Sequence, residues 1–150
     1  MRAIIQRVSN ASVHIDNQKI AYIGVGVLAF IGFEQEDRLE DLTWMSKKII
    51  SLRIFQDQEN KINLSLDDVD GDILVVSQFS LYALTKKGNR PSFVNVCKYK
   101  KANYLYNEFM NIMNQNFTRE VYSGIFGEDM KINLINDGPL TFFIDTKSKE

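Results

Sequence analysis

The sequence contains almost none of the residues that build covalent or metal-bound frameworks. Among its 150 residues there is one cysteine, Cys97, and one histidine, His14. A disulfide within the chain is therefore impossible, and a reducing compartment is the simpler expectation. A zinc site of His and Cys ligands is excluded as well. We expect neither a metal site nor a cofactor.

Long apolar runs and a secretion signal are also missing. The longest apolar stretch, residues 25–33, is far too short to span a bilayer. Residues 1–7 have no apolar core of signal-peptide length. Hydrophobic residues make up 45% of the chain and charged residues 25%, which is typical of globular proteins. We therefore expect a soluble cytoplasmic protein whose residues 1–150 form one domain.

Acidic residues are absent from one long segment. Residues 73–107 contain no Asp or Glu but six cations, whereas the rest of the chain carries twelve cations against nineteen acids. These six cations are Lys86, Lys87, Arg90, Lys98, Lys100 and Lys101. One basic segment on an acidic body suits a local contact with phosphates. On charge alone, a solvated loop and helix face is an equally good interpretation.

The spacing of apolar residues predicts strands, a helix, strands, a second helix and final strands. Apolar residues at helical spacing place the helices at residues 37–52 and 100–114. Strands are predicted at residues 2–8, 11–15, 19–23, 25–33, 53–55, 61–64, 73–79, 121–125, 130–135 and 140–145. Because helices and strands do not strictly alternate, we predict a single α+β domain. Its sheets would be mostly antiparallel, in a barrel- or sandwich-like arrangement with the two helices packed on them.

Polar residues follow the most apolar predicted strand, at the point where it ends. Ser77 and Ser80 offer hydroxyls and Gln78 offers an amide. Backbone N–H groups that leave the strand there could donate to an oxyanion. The sequence shows no His–acid relay that would activate either hydroxyl as a nucleophile. The alternative is a strand end whose hydroxyls cap a turn.

Residues 136–141, Asn-Asp-Gly-Pro-Leu-Thr, combine strong turn residues with one of the two prolines in the chain. A simple turn between two strands would explain them. However, an X–Pro bond can be cis at modest cost. A cis bond would turn two successive carbonyl oxygens the same way. Such a rigid acceptor pair could read the geometry around an amine-bearing carbon.

The segment at residues 86–93, Lys-Lys-Gly-Asn-Arg-Pro-Ser-Phe, offers cations and small hydrogen-bond donors. These residue types suit a loop that binds phosphates, with Lys87 and Arg90 as candidate contacts. The spacing is not that of a P-loop, so it gives no support for nucleotide hydrolysis.

Taken together and in order, these motifs resemble the D-aminoacyl-tRNA deacylase family, in its D-tyrosyl-tRNA deacylase branch. The resemblance runs essentially end to end. It rests on residues 1–8, on Ser-Gln-Phe-Ser-Leu at 77–81, and on the segments at 87–93, 126–130 and 136–141. It implies an intracellular homodimer that hydrolyses the ester of D-aminoacyl-tRNA and releases a free D-amino acid and tRNA. It also implies that glycine mischarged on tRNA is removed.

The resemblance implies a role for each candidate residue. Gly138 and Pro139, joined by a cis bond, would reach into the partner subunit's active site and leave no room for an L side chain. The pocket for the terminal adenosine and the scissile ester would be lined by Ser77, Gln78, Phe79 and Ser80. Phe126 and Met130 would help to enclose that adenosine.

The main departure from the family pattern is Ser80, where the family usually has Thr. The backbone N–H groups of Phe79 and Ser80 would be the oxyanion donors by the same resemblance. If the Ser80 hydroxyl were the nucleophile, serine could still serve. If only the backbone N–H of residue 80 mattered, serine in place of threonine would hardly change the activity. In that case the substrate's own 2′-hydroxyl, which has been proposed to assist, could promote the hydrolysis. The absence of a nearby base in the sequence favours the second reading.

Two other functions remain open on the sequence. The chain could be a non-catalytic nucleic-acid-binding module that uses the surface of residues 86–101. It could also be a structural homodimer without a ligand, and this interpretation would be favoured if the Gly138–Pro139 bond were trans and no cleft lay near Ser77.

Overall fold

A six-stranded mixed sheet forms the scaffold in the computed structural model, which describes residues 1–149. Its strands are β1 (Arg2–Ile15), β2 (Gln18–Ile23), β3 (Gly26–Gly32), β6 (Asp72–Ser77), β7 (Val121–Ser123) and β8 (Lys131–Asp145). A small second sheet pairs β4 (Phe55–Gln56) with β5 (Ile62–Leu64). Contacts of β2 with β6 and β7 bring the sheet close to a closed barrel. The predicted α+β domain with a barrel-like sheet is therefore confirmed.

Parallel pairing is confined to three neighbouring strands. β1 pairs antiparallel with β2, β3 and β8, whereas β3–β6 and β6–β7 are parallel. Parallel neighbours need a crossover connection. The two helices, α1 (Leu39–Ser51) and α2 (Tyr99–Asn116), lie in those two connections. The sheet is thus antiparallel around β1, as predicted, and parallel where a helix intervenes.

Both helices pack on each other and cover one face of the sheet. The buried stripe of α2 consists of Ala102, Leu105, Tyr106, Phe109 and Met113, as its predicted periodicity requires. Helix α1 begins later than predicted. Asp37 is buried and accepts the N–H of Glu34 at 2.9 Å, so it belongs to the preceding turn. No helix within residues 1–149 is long and apolar enough to cross a membrane.

Strand β1 is continuous where the sequence predicts two separate strands. The polar residues Ser9 and Asn10 interrupt its apolar pattern, but pairing with β8 continues through Asn10 and Ile135. One edge of β1 pairs with β8 along nearly its whole length. The other edge pairs with β3 over the first half and with β2 over the second. β1 therefore joins every antiparallel part of the main sheet.

Strand β8 also replaces two predicted strands. Asn136 pairs with Val8 and Thr141 pairs with Gln6, so four residues of β8 lie opposite Arg7 alone. We call residues 137–140 the β8 bulge. The alternative of a simple turn at this segment is wrong, because the chain resumes its direction along β1 instead of reversing. Gly138 has φ +138°, a conformation that L side chains rarely adopt.

Candidate active site

A cavity of about 480 Å³ opens where β3 and β6 end. Ligands commonly bind at the carboxyl ends of parallel strands, because neighbouring strands deliver their following residues to one edge. Five sequence-predicted residues line this cavity: Ser77, Gln78, Phe79, Phe126 and Met130. The structure therefore brings two distant motifs, residues 77–81 and 126–130, to one place.

Strand β6 ends at Ser77, two residues earlier than predicted, and a short 3-10 helix follows at Phe79–Tyr82. The N–H of Gln78 donates to the Ile31 carbonyl at 2.7 Å and fixes this junction to β3. The first N–H groups of a helix have no partner within it. No acceptor in residues 1–149 receives the N–H of Phe79 or of Ser80. Two backbone donors are therefore free beside the cavity.

The Ser80 side chain is exposed and is not part of the cavity wall. Its hydroxyl oxygen lies 2.5 Å from the side-chain nitrogen of Gln78, which donates to it. The imidazole of His14 instead lies 3.2 Å from the Asn133 amide, on the paired strands β1 and β8. No base therefore contacts the Ser80 hydroxyl within residues 1–149.

An aromatic cluster forms one wall of the cavity. The ring of Phe126 lies 5.4 Å from the ring of Tyr99 and 5.4 Å from that of Tyr106. Tyr106 is buried, which raises its pKa to about 12, and its hydroxyl donates to the Val75 carbonyl. Tyr99 is exposed and lines the cavity, although the sequence did not single it out. The available signal was its position within the basic segment, between Lys98 and Lys100.

The loop that carries Phe126 depends on Gly127, which has φ +84°. A Cβ at this position would lie 2.9 Å from the Tyr99 hydroxyl, so glycine lets Tyr99 approach the loop closely. Glu128 and Asp129 follow and also line the cavity, and Asp129 forms an exposed ion pair with Lys131 at 2.7 Å. Within residues 1–149, no group of three or more His, Cys, Asp or Glu residues is placed to hold a metal ion.

Cys97 lies in the cavity wall but is buried. Burial raises the pKa of its thiol, because desolvation disfavours the thiolate. Its sulfur lies 3.7 Å from the side-chain oxygen of Gln35. A protonated, buried thiol packs as a small apolar side chain and is a poor nucleophile.

Gly138 and Pro139 are exposed on the β8 bulge, away from the cavity of their own chain. The bulge lies opposite Arg7, which pairs with Val27 near the start of β3. The cavity adjoins Ile31, four residues further along β3, which corresponds to roughly 13 Å. The Gly138–Pro139 peptide bond is cis in this structure.

Arg7, on the facing strand β1, hydrogen-bonds to the bulge, a role that was not predicted from the sequence. Its guanidinium donates to the Asp137 carbonyl at 3.0 Å and to the Ile54 carbonyl at 2.7 Å, and the residue is only 6% exposed. Asn136 adds a second brace, since its side-chain oxygen accepts the Leu140 N–H at 2.8 Å. The sequence did contain a signal for this position. Side chains alternate between the two faces of a strand, so Arg7 is expected on the same inward face as Ala3 and Ile5.

Lys87 and Arg90 lie on an exposed loop outside the cavity. Two backbone hydrogen bonds between Leu84 and Ser92, of 2.8 and 2.9 Å, close this loop at residues 85–91. Neither cation pairs with a carboxylate in the part of the chain that the structure describes. Both charges are therefore free to meet an anionic ligand.

Comparison with known proteins agrees with this arrangement. The family model described as D-Tyr-tRNA(Tyr) deacylase matches residues 4–145. A protein of Flavobacterium psychrophilum named D-aminoacyl-tRNA deacylase is 51% identical over 150 residues, which cover all of both chains. A Bacteroides fragilis protein of the same name is 48% identical over the same span.

Two solved structures share the fold. A chain titled c-Myc DNA unwinding element binding protein superposes with a TM-score of 0.92 at 35% identity, covering 97% of this chain and 98% of that one. A probable eukaryotic D-amino acid tRNA deacylase superposes with a TM-score of 0.80 at 21% identity, covering 95% and 97%. This second likeness supports the fold alone. The family model and full-length relatives that are 51% and 48% identical all name the same activity. The chain therefore belongs to the D-Tyr-tRNA(Tyr) deacylase family of enzymes.

Proposed function

We propose that this protein hydrolyses the ester between a D-amino acid and the 3′ end of tRNA, releasing the free amino acid and the tRNA. The observation that carries the proposal is the pair of free N–H groups at Phe79, which lines the cavity, and at Ser80, which follows it in the chain. Ester hydrolysis passes through a tetrahedral oxyanion, which such donors stabilise. One donor of this kind contributes about 3–4 kcal/mol in other acyl-transfer enzymes.

The chain's own side chains then bind and orient the substrate. Phe126 and Met130 offer an apolar wall for the terminal adenosine, and Ser77 and Gln78 offer polar groups near the ester. Water is the attacking group, because no base contacts the Ser80 hydroxyl in the described chain. The 2′-hydroxyl of the terminal ribose is the group best placed to assist, since it neighbours the ester in the substrate itself.

Gly138 and Pro139 would judge the handedness of the amino acid from the partner subunit of a homodimer. Their exposure on a braced bulge supports this role, because Arg7 donates to the Asp137 carbonyl and Asn136 accepts the Leu140 N–H, which braces the bulge on both sides of Gly138 and Pro139. An L side chain would collide with them, whereas a D side chain would point away. Glycine, which has no side chain to exclude, would be released from tRNA as well.

The dimer proposal has support at the outer edge of the sheet. Within residues 1–149, β8 pairs with β1 on one side and with no strand on the other. Ile135 and Phe143 lie exposed on this edge strand. An unpaired strand with exposed apolar residues suits contact with a second copy.

Lys87 and Arg90 would contact phosphates of the tRNA. This contact predicts activity that declines as salt rises, because binding to phosphates releases counterions. The proposal is of a cytoplasmic enzyme that works without a metal or cofactor.

The deciding experiment compares D-Tyr-tRNA with L-Tyr-tRNA as substrates in buffer that contains EDTA. We expect the D ester to be hydrolysed at least a hundredfold faster. Equal rates on the two esters, or no reaction with either, would contradict the proposal. A requirement for added metal would contradict its metal-free form.

A second candidate function is nucleic-acid binding without chemistry. It is favoured by the exposed cations of the loop at residues 85–91 and by the likeness to a chain titled as a DNA unwinding element binding protein. A mobility-shift assay separates the two functions. A pure binder would retain aminoacylated and free tRNA equally and would leave the ester intact.

A further inference from the structure

Two exposed aromatic rings, those of Phe79 and Phe93, pack against each other at the edge of the cavity and are called the aromatic pair below. Phe79 is 59% exposed and Phe93 is 45% exposed, yet their ring centroids lie only 5.2 Å apart in an edge-to-face arrangement. Phe79 lines the cavity, whereas Phe93 does not. The pair therefore continues the apolar wall of the cavity outward by one ring.

The loop that precedes Phe93 places cations next to this aromatic pair in the chain. Phe93 directly follows Ser92, whose backbone hydrogen bonds with Leu84 close the loop at residues 85–91. That loop carries Lys86, Lys87 and Arg90, all exposed. The described residues offer none of the three a carboxylate partner. Aromatic faces beside free cations are the features by which proteins bind single-stranded nucleic acid, since bases stack on the rings and phosphates meet the charges.

The same charges argue against a second copy of this chain as the occupant. A two-fold interface centred on the pair of phenylalanines would bring together two loops that each carry three cations. Like charges placed opposite each other at an interface are unfavourable. A polyanion is the complementary partner.

We propose that Phe93 is the stacking surface for the nucleotide that precedes the terminal adenosine in the single-stranded CCA end of tRNA. Phe79 supports the ring from the cavity side, and Lys86, Lys87 and Arg90 contact the adjoining phosphates. This inference rests on the proposed function and extends it beyond the terminal nucleotide. Such a stacking contact would recognise the RNA end whichever amino acid it carries.

The test uses a long and a short substrate. Phe93→Ala is compared with the wild type on D-Tyr-tRNA and on 3′-O-(D-tyrosyl)adenosine, which has no preceding nucleotide. We expect kcat/KM on D-Tyr-tRNA to fall about tenfold, mainly through KM, because one stacked base is lost. On the adenosine ester we expect a change below about twofold, since Phe93 lies outside the cavity that holds it.

Two matched variants control the comparison. Phe93→Tyr keeps the ring and should keep wild-type values on both substrates. Val94→Ala removes a neighbouring apolar side chain that is 78% exposed and should change neither value. An equal loss on both substrates, or no loss on D-Tyr-tRNA, would overturn the inference. Conversion of Phe93→Ala to a smaller species in sedimentation would also overturn it, because a second copy would then cover the ring.

A binding measurement keeps the inference separate from the catalytic proposal. Fluorescence anisotropy with an unacylated oligonucleotide ending in CCA requires no chemistry. We expect Phe93→Ala to bind it about tenfold more weakly, with adenosine monophosphate binding unchanged. If the wild type lacks deacylase activity, the proposed function fails, but this difference would still support the stacking surface. Equal binding by the two proteins would overturn it.

Discussion

At the scale of single residues, Ser80 carries two groups whose surroundings differ. Its backbone N–H is free beside the cavity, and its hydroxyl contacts only the Gln78 amide among the described residues. A nucleophilic hydroxyl needs a base that removes its proton. The structure leaves the Ser80 N–H without an acceptor and places no base beside the hydroxyl within residues 1–149.

Ser80→Ala therefore retains more than a tenth of the wild-type deacylation rate. The substitution removes the hydroxyl and leaves the backbone N–H in place. The measurement is single-turnover hydrolysis of D-Tyr-tRNA, with Ser80→Thr as the matched variant that keeps a hydroxyl. A loss of about three orders of magnitude in a correctly folded Ser80→Ala protein would instead identify Ser80 as the nucleophile.

At the scale of elements, the β8 bulge is held by a charged residue from the opposite end of the chain. Arg7 donates to two carbonyls, one on the bulge at Asp137 and one at Ile54 after α1. A planar guanidinium can serve both acceptors at once, whereas a lysine ammonium presents a single point of charge. Arg7 thus ties the bulge to the segment that follows α1, beside the brace from Asn136.

Arg7→Ala is expected to lower the free energy of unfolding by about 2–4 kcal/mol, because two carbonyls lose charged donors. Arg7→Lys should fall between this variant and the wild type. Urea unfolding measures the stability, and the ratio of D-Tyr-tRNA to L-Tyr-tRNA hydrolysis tests the proposed role of the bulge in selecting the D-amino acid. We expect the ratio to fall in the folded fraction of Arg7→Ala.

Gln6→Ala provides the matched control for Arg7. Gln6 neighbours Arg7 on β1, and its amide contacts the Thr141 hydroxyl at 3.2 Å on the exposed side of the sheet. We expect its loss to change the unfolding free energy by less than about 0.5 kcal/mol. A D-to-L ratio that is unchanged in Arg7→Ala would contradict the positioning role of Arg7.

The elements also show what the sequence alone could and could not predict. The buried stripe of α2 and the apolar run of β6 follow from local apolar spacing, so both elements were predictable, although β6 ends two residues earlier than predicted. The β8 bulge was not, because residues 136–139 have the chemistry of a turn. Only pairing with β1, about 130 residues away, decides whether the chain reverses there. Tyr99 was missed because its role depends on the distant Phe126 loop.

At the scale of the whole molecule, hydrogen bonds join the two ends of the described chain. Arg2 donates to Asp145 at 2.9 Å and to the Leu81 carbonyl at 2.9 Å, and the Thr146 N–H donates to the Met1 carbonyl. Burial alone would raise the pKa of Asp145, but hydrogen bonds from the Lys147 N–H and from Arg2 lower it overall. The first and last strands are therefore joined by a carboxylate that favours its charged form.

This carboxylate predicts a loss of stability in acid. A pKa that is lower in the folded state than in the unfolded state contributes stability above the unfolded value, near 4, and that stability is lost as pH falls through the folded value. Asp145→Asn should therefore be less stable than the wild type at pH 7, by about 1 kcal/mol. The difference should shrink as pH falls from about 5 to 2.

Urea unfolding at a series of pH values measures this difference. Asp129→Asn is the control, because its exposed pair with Lys131 should add little at any pH. A difference between Asp145→Asn and the wild type that stayed constant down to pH 2 would contradict the assignment.

The bulge and the cavity lie apart within one chain, so in the proposed homodimer, where each bulge would act on the partner's cavity, defects in the two should complement each other. A mixed dimer of a Phe126→Ala chain and an Arg7→Ala chain would then have one site in which both the cavity and the opposing bulge are intact. The other site combines both defects. Doubly tagged mixed dimers should therefore recover up to half of the wild-type selective hydrolysis, a level that neither parent dimer reaches. Recovery no better than the mean of the parents would show that each chain uses its own bulge.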